Sequence, residues 1–146
     1  ILHFYSFCAI RFGSKDMQDN LYILLDCKNI RNACAHSDCI IYDLHVNTSR
    51  HKTNYLINRK LSQLPGITRS IRSTRMSNDR IRGLICILFM HNKIVTSEGV
   101  HNKAAQKLHT FEERMFRHFD YYNTNSLISS SLDFLRLVID NWFPIT

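Results

Sequence analysis

The sequence predicts an all-α fold, a single-domain helical bundle that spans residues 1–146. Glycine and proline, which favour turns and interrupt helices, number only 4 and 2 in the whole chain. Apolar side chains recur three or four positions apart in several segments, which is the period of a helix. A hydrophobic fraction of 45% with 21% charged residues is typical of a folded domain with a core.

Three helices are predicted in the second half of the chain, at about 79–95, 99–122 and 126–142. Ser77-Asn78-Asp79 supplies N-cap residues for the first of them, and Pro144 stops the third. Their apolar residues are expected to face a common core. These residues are Ile81, Leu84, Ile85 and Leu88, then Leu108, Phe111, Met115, Phe119 and Tyr122, and finally Ile128, Leu132, Leu135, Ile139 and Trp142.

The first half of the chain is predicted to hold two helices and a long connection. Residues 1–13 are apolar and aromatic, and Gly13 is expected just after the end of a helix. Ser14 or Asp16 can cap a second helix from about residue 15 to 36. Its incomplete apolar face consists of Leu21, Leu24, Leu25 and Ile30. Residues 37–80 are predicted to form a polar, basic and irregular connection. The chain begins without an initiator Met, which is compatible with an N-terminally truncated fold.

The composition indicates which class of partner and which cellular compartment to expect. The net charge of +7 favours an anionic partner, and nucleic acid is the first candidate. Five cysteines, an odd number without a CxxC pair, do not suggest a disulfide framework, and they fit a reducing cytoplasm. The longest apolar run, Leu84–Met90, is far shorter than a membrane span, so no membrane partner is expected.

The segment Ile30–His36 is the most informative for function. On a helix, Asn32 and His36 lie four residues apart and share a face, and Arg31 flanks the same edge. The alanines between them are small and leave that surface open. An Arg, an Asn and a His are therefore expected to meet at the end of a helix, next to a polar loop.

This segment resembles the RNxxxH signature of HEPN domains, in which an Arg is followed by four to six residues and a His. The longer stretch Asn29–Leu44 is similar to the core of Abi (abortive infection) family proteins. The resemblance implies a HEPN-like bundle that acts as a metal-independent endoribonuclease in an abortive-infection or toxin–antitoxin antiphage system. It also implies RNA as substrate, a homodimer that brings two motifs together, and restraint by a protein or RNA antitoxin. It implies no cofactor.

The implied chemistry suits the residue types. The 2′-OH of RNA attacks the adjacent phosphorus and leaves a 2′,3′-cyclic phosphate. His36 would serve as general base or acid, because imidazole exchanges protons near neutral pH. Arg31 would stabilise charge on the phosphoryl oxygens, and Asn32 would orient His36 or the phosphate. In a purely structural interpretation, Arg31 and Asn32 bond helix-end carbonyls and His36 is a cation at the helix C-terminus.

A run of cations follows the Pro65-Gly66 turn, ending with Arg82. Four of them, Arg69, Arg72, Arg75 and Arg80, are predicted to bind RNA phosphates. The alternative interpretation is a solvated charged face. The cations of the 99–122 helix alternate with Glu112 and Glu113, which indicates a surface of ion pairs there.

The sequence also leaves open a metal site and functions other than RNA cleavage. Cys34, His36 and Cys39 suggest part of a zinc site, which His45 or His51 would have to complete. Small buried cysteines are the favoured interpretation, so no metal ligand is predicted. The alternative function is a non-catalytic RNA-binding or protein-interaction bundle, and a third is an inactive remnant.

Overall fold

The computed structural model describes residues 2–49 and 51–145, and it confirms the all-α fold. In that part of the chain there is no strand, and no helix has the length and apolarity needed to cross a membrane. The helices are α1 Leu2–Arg11, α2 Lys15–Ala35, α3 Tyr55–Leu61, α4 Arg69–Met76, α5 Asp79–Ile94, α6 Glu98–Phe116 and α7 Ser126–Trp142. A short 3-10 helix, Phe119–Tyr121, lies between α6 and α7.

Helix α5 is the centre of the bundle. It packs along α2 over the most extensive interface in the structure, and α4 and α7 cover its other sides. α1 packs on α2, and α6 packs on α7. The core between these helices contains fully buried side chains from four elements, among them Ile23, Ile57, Ile85 and Val138. A helix surrounded in this way has to be apolar on most of its faces, as α5 is.

Gly83 allows α2 and α5 to approach each other closely. A Cβ atom at this position would lie 2.6 Å from Cγ1 of Ile30 and 2.9 Å from its Cδ1, both shorter than real contacts. Neighbouring residues of the two helices therefore face each other at short range. Arg82 and Asp26 are such neighbours, and their side chains form a hydrogen-bonded ion pair.

The predicted helix ends are largely confirmed. The Ser14 hydroxyl accepts a hydrogen bond from the amide of Met17 at the start of α2. Asn78 Oδ1 accepts one from the amide of Ile81 at the start of α5, at 2.9 Å. Gly13 follows α1 in the left-handed region, with φ of 60°. Each of these residues acts through contacts within a few positions, so the local sequence was sufficient to predict it.

The prediction of an irregular connection at 37–80 is wrong at two places, where α3 and α4 form. Both helices have cap residues, Asn54 and Thr68, whose side chains accept hydrogen bonds from the first turn. They are only 7 and 8 residues long, and they bury two and one side chains respectively. An apolar period needs more turns than that to be recognised in a sequence, and cations on the outer faces conceal it further.

The helix predicted at 99–122 is shorter than expected, and its apolar stripe is only partly in the core. Helix α6 ends at Phe116, and Phe111 of the predicted stripe is 49% exposed. Because α6 packs mainly on α7, it buries only a narrow line that contains Ala105 and Glu112. On α2, Ile30 is buried as expected, but the three predicted leucines are only half-buried.

We expect Gly83→Ala to lower the free energy of unfolding by about 1–3 kcal/mol, because the added methyl group meets Ile30 at the α2–α5 contact. Gly99→Ala is the matched control. It places the same methyl group in open space in the first turn of α6, where alanine favours the helix by up to about 1 kcal/mol. Urea unfolding of both variants measures the difference. Equal midpoints for the two variants would contradict the close packing.

Candidate functional site

A buried ion pair joins α2 to α5, about one helical turn before the Ile30–His36 segment. Nε of Arg82 donates to Oδ2 of Asp26 at 2.9 Å, and Nη2 donates to Oδ1 at 3.1 Å. The two side chains are 1% and 4% exposed. Nη2 also donates to Asp79 at 2.7 Å, so two carboxylates compensate one guanidinium. The geometry is bidentate, which is the strong form of this interaction.

The same ion pair holds His51 in place. Nη1 of Arg82 donates to the carbonyl oxygen of His51 at 2.8 Å, and the His51 Nε2 lies 3.3 Å from Oδ1 of Asp26. The ring of Tyr22 covers the imidazole with a centroid separation of 5.1 Å. His51 is thus attached to α2 and α5, although it belongs to the segment between α2 and α3.

Two cysteines next to Asp26 are neutral thiols. Burial and the charge of Asp26 raise the pKa of Cys27 to about 11. The same causes raise the pKa of Cys86, whose Sγ lies 3.5 Å from Oδ2 of Asp26. A buried neutral thiol is a poor nucleophile, so these cysteines belong to the packing of the network.

Helix α2 ends at the predicted motif with a Schellman turn. His36 is the C-cap residue, and Ser37 follows with φ of 57°. The amide of Asp38 donates to the carbonyl of Ala33 at 2.9 Å, and that of Ser37 to the carbonyl of Cys34 at 3.2 Å. Glycine usually occupies this left-handed position, and a serine costs about 1 kcal/mol there. The turn directs the chain away from the helix axis immediately after His36.

The end of α2 forms one wall of a cavity of about 510 Å³, which we call the motif cavity. It is lined by Leu25, Asn29, Asn32, Ala33, His36, Asp38, Tyr42, His51, Asp79 and Arg80. The structure therefore places the predicted Asn32 and His36 at one surface, together with a second imidazole and a guanidinium. Two carboxylates line the same cavity, and that of Asp79 is paired with Arg82.

Arg31 does not share this surface in the described part of the chain. It is exposed on α2, and it is not among the described residues that line the motif cavity. A step of one residue turns a side chain by about 100° around a helix, which is enough to separate Arg31 from Asn32. The expected meeting of the three side chains thus holds for Asn32 and His36 only.

Arg80, at the start of α5, is a cation that lines the motif cavity together with His36. Its guanidinium carbon lies 4.7 Å from the ring centroid of Tyr42, and its Nη2 donates to the hydroxyl of Tyr42 at 3.1 Å. Stacking on an aromatic ring and a hydrogen bond both restrict the rotamers of an arginine. Arg80 is therefore held at the edge of the motif cavity rather than free in solvent.

A second cavity, of about 630 Å³, adjoins the first at His51; we call it the basic cavity. It is lined by Asn47, Ser49, His51, Lys52, Thr53, Asn58, Arg69, Arg72, Ser73, Met76 and Ser77. Two of the predicted RNA-binding arginines, Arg69 and Arg72, thus share a wall with Lys52. Nε of Arg72 donates to Oδ1 of Asn58 at 2.6 Å, which fixes its guanidinium at this wall.

Arg75 points in another direction. Its Nη1 and Nη2 donate to the hydroxyls of Ser131 and Ser130 on α7, at 2.9 and 2.6 Å, and burial lowers its pKa. It joins α4 to α7, and it is not among the described residues of either cavity. The cation run is consequently divided: Arg69, Arg72 and Arg80 line cavities, whereas Arg75 and Arg82 are turned into the fold.

The cysteines near the motif are not buried, contrary to the favoured sequence interpretation. Cys34 and Cys39 are both exposed, at the end of α2 and in the loop after it. Among the described residues, they do not form a three-ligand cluster with His36, His45 or His51.

Sequence reasoning missed the residues on which this site rests, namely Asp26, His51 and Arg82. Asp26 interrupts the apolar face of α2 between Ile23 and Ile30, at helical spacing from both. An isolated acid on such a face is the one local sign that a buried cation faces it. Its partner Arg82 is 56 residues away and stands in a run of cations.

No family model, curated protein or solved structure matches this chain. The cavities and their geometry therefore carry the functional argument.

Asp26→Ala leaves Arg82 buried without its bidentate partner, and we expect it to lower the free energy of unfolding by about 3–5 kcal/mol. Asp133→Ala, at an exposed position on α7, is the control and should change stability by about 0.5 kcal/mol or less. The double variant Asp26→Leu/Arg82→Met should recover most of the loss, because it removes both buried charges. Denaturant unfolding measures all three. If Asp26→Ala is as stable as Asp133→Ala, the ion pair is not essential for the stability of the fold.

Proposed function

We propose that this chain is a metal-independent endoribonuclease that cleaves RNA by attack of the 2′-OH, in an abortive-infection or toxin–antitoxin system of the cytoplasm. The observation that carries the proposal is the motif cavity, where His36 and Asn32 lie at one surface with His51 and Arg80. Two imidazoles and a guanidinium around an open polar cavity are the groups that this reaction requires.

In the proposed reaction, His36 accepts the proton of the 2′-OH while the 2′-oxygen bonds to phosphorus. The bond from phosphorus to the 5′-oxygen breaks, and protonated His51 donates a proton to that oxygen. Asp26 positions His51 for this role, since its Oδ1 lies 3.3 Å from Nε2 of the imidazole. The products are a 2′,3′-cyclic phosphate and a 5′-hydroxyl.

Arg80 is proposed to stabilise charge on the phosphoryl oxygens, because it lines the same cavity as His36. Asn32 would orient the phosphate, since it lines this cavity as well. Arg31, exposed on α2, would contact RNA outside the cavity. In the dimer that the HEPN resemblance implies, it would instead meet the motif of the second copy.

The resemblance also implies that the activity is restrained in the cell. A nuclease that cuts the RNA of its own host needs an inhibitor, so we propose a protein or RNA antitoxin as a partner. The exposed surface around Arg31 and the motif cavity is where such an inhibitor would act.

We expect His36→Ala to lower the rate of RNA cleavage by about 10²–10⁴-fold, because the general base is lost. Arg31→Ala and Arg80→Ala should lower the rate by smaller factors. A labelled single-stranded RNA, incubated in EDTA well below the melting temperature, reports the rate and the 2′,3′-cyclic phosphate end. The same oligonucleotide with 2′-deoxyribose at the cleavage position should resist cleavage.

His45→Ala is the matched control for the loss at His36. His45 is an exposed histidine of the same loop region, and it is not among the described residues that line either cavity. It should cleave like the parent with an unchanged circular dichroism spectrum. If His36→Ala cleaves RNA as fast as His45→Ala, the nuclease proposal is wrong.

The basic cavity supports a second candidate function, non-catalytic binding of RNA. Lys52, Arg69 and Arg72 all line this cavity of about 630 Å³. Such a group of cations can follow the RNA backbone without reading its sequence. This function needs the cations of the basic cavity and does not depend on His36.

We expect Arg69→Ala/Arg72→Ala to weaken RNA binding and to reduce the slope of log K against log salt concentration by about 1.4, or about 0.7 for each lost contact with a single strand. Lys107→Ala, an exposed cation on α6, is the control and should leave the slope unchanged. Fluorescence anisotropy at several salt concentrations measures both. Salt-dependent binding without cleavage by the parent would favour the second candidate, and an unchanged slope would exclude the basic cavity as the RNA surface.

A further inference from the structure

A second polar cluster lies at the α6–α7 contact, on helices that do not line the motif cavity. It consists of His109 and Glu112 on α6 and Asp140 on α7. One donor atom of each residue lies within 4.8 Å of those of the other two. Neither proposed function uses these residues. The spacing of three positions between His109 and Glu112 places both on the α7 side of α6.

The imidazole of His109 is oriented with one nitrogen toward the carboxylates. Its Nε2 lies 2.8 Å from the carbonyl oxygen of Phe143, and this contact requires Nε2 to carry a proton. The other ring nitrogen, Nδ1, lies 3.3 Å from Oε2 of Glu112 and 3.9 Å from Oδ1 of Asp140. Histidines that bind metals have this arrangement, with the second nitrogen donating to a carbonyl or carboxylate.

Glu112 brings an unsatisfied oxygen into the same space. Its side chain is only 9% exposed, and Oε2 has no hydrogen-bond partner among the described residues. Oε1 is occupied by Arg136, whose Nε donates to it at 2.8 Å. Burial and the charge of Asp140 raise the pKa of Glu112. A buried carboxylate oxygen without a partner is costly, and a cation next to it would remove that cost.

Arg136 compensates the outer side of the cluster and leaves its inner side open. It lies 3.9 Å from Oδ2 of Asp140, and its guanidinium stacks on the ring of Phe116 with a separation of 4.9 Å. Each carboxylate thus has one oxygen toward Arg136 and the other toward His109 Nδ1. His109 Nδ1, Glu112 Oε2 and Asp140 Oδ1 thus converge on the inner side, within 4.8 Å of one another.

We propose that His109 Nδ1, Glu112 Oε2 and Asp140 Oδ1 bind a divalent transition-metal ion of the zinc class, with water completing the coordination. Tetrahedral zinc with bonds of about 2.0–2.2 Å separates its ligand atoms by about 3.3–3.5 Å. His109 Nδ1 lies 3.3 Å from Glu112 Oε2 and 3.9 Å from Asp140 Oδ1, close to that range, and all three atoms lie within 4.8 Å of one another. One nitrogen and two carboxylate oxygens suit Zn²⁺, Co²⁺ or Mn²⁺ better than Ca²⁺, which prefers more oxygen ligands.

The bound ion would connect α6 to α7. α6 packs mainly on α7 and buries little apolar surface, so a bond between the two helices would stabilise a weakly packed element. The site is distinct from the proposed cleavage reaction, which needs no metal. Its role would therefore be visible in stability rather than in the rate of RNA cleavage.

We expect saturating Zn²⁺ to raise the melting temperature of the full chain by about 5–10 °C relative to EDTA, because the ion binds the folded state only. Co²⁺ should give the weak visible absorption of a nitrogen–oxygen ligand set. Asp140→Asn, at a half-exposed position, should abolish the shift while the metal-free protein stays folded, and Glu112→Gln should do the same. Differential scanning fluorimetry and absorption spectroscopy measure these effects.

His45→Gln/Asp43→Asn is the matched control, since it removes an exposed His–Asp pair with a separation of 2.9 Å that has no third ligand among the described residues. It should keep the full Zn²⁺ shift. The proposal is overturned if Zn²⁺ leaves the melting temperature unchanged, or if Asp140→Asn keeps the shift. A near-ultraviolet Co²⁺–thiolate band that disappears in Cys34→Ser/Cys39→Ser would also overturn it, because the metal would then bind at the exposed cysteines.

Discussion

The contact between Asp26 and Arg82 is the constraint on which the arrangement of this protein depends. Two charges are taken out of water at the centre of the α2–α5 interface, at a cost that only good geometry can offset. The bidentate pairing at 2.9 and 3.1 Å supplies that geometry, and Asp79 and the His51 carbonyl accept two further hydrogen bonds from Arg82. Such a pair adds little net stability compared with an apolar contact, but any shift of α2 along α5 would leave a buried charge unpaired. We infer that it fixes the register of the two helices.

The register in turn assembles the candidate site. Gly83 follows Arg82 and permits the close approach to Ile30, so backbone packing and charge pairing select the same alignment. With α2 and α5 aligned, His36 at the end of α2 and Arg80 at the start of α5 line the same cavity. The ion pair contacts His51 at its backbone carbonyl and at its imidazole. The motif cavity is thus formed by a helix end, a helix start and a loop, and each is attached to one buried network.

The features that the sequence predicted correctly are those decided by neighbouring residues. Gly13, Ser14 and Asn78 act within one helical turn, and the long apolar periods of α5 and α7 are unambiguous. The placement of side chains around the site depends on partners more than 50 positions away, as Arg82 and Arg75 show. Both arginines look like members of one exposed cation run, because a linear sequence gives no sign of which cation meets a buried acceptor. The common face of Asn32 and His36 could be predicted from the sequence, because it depends only on helical spacing.

The buried carboxylates of Asp26 and Glu112 differ in the hydrogen bonds that their oxygens accept. Each oxygen of Asp26 has an Arg82 donor, and the pair is complete without any ligand. Glu112 has one oxygen on Arg136 and one without a hydrogen-bond partner among the described residues. Buried polar atoms are nearly always satisfied in folded proteins, so a centre that is incomplete within the chain points to a component from outside it. This difference is the physical reason for regarding Asp26 as part of the scaffold and Glu112 as part of a binding site.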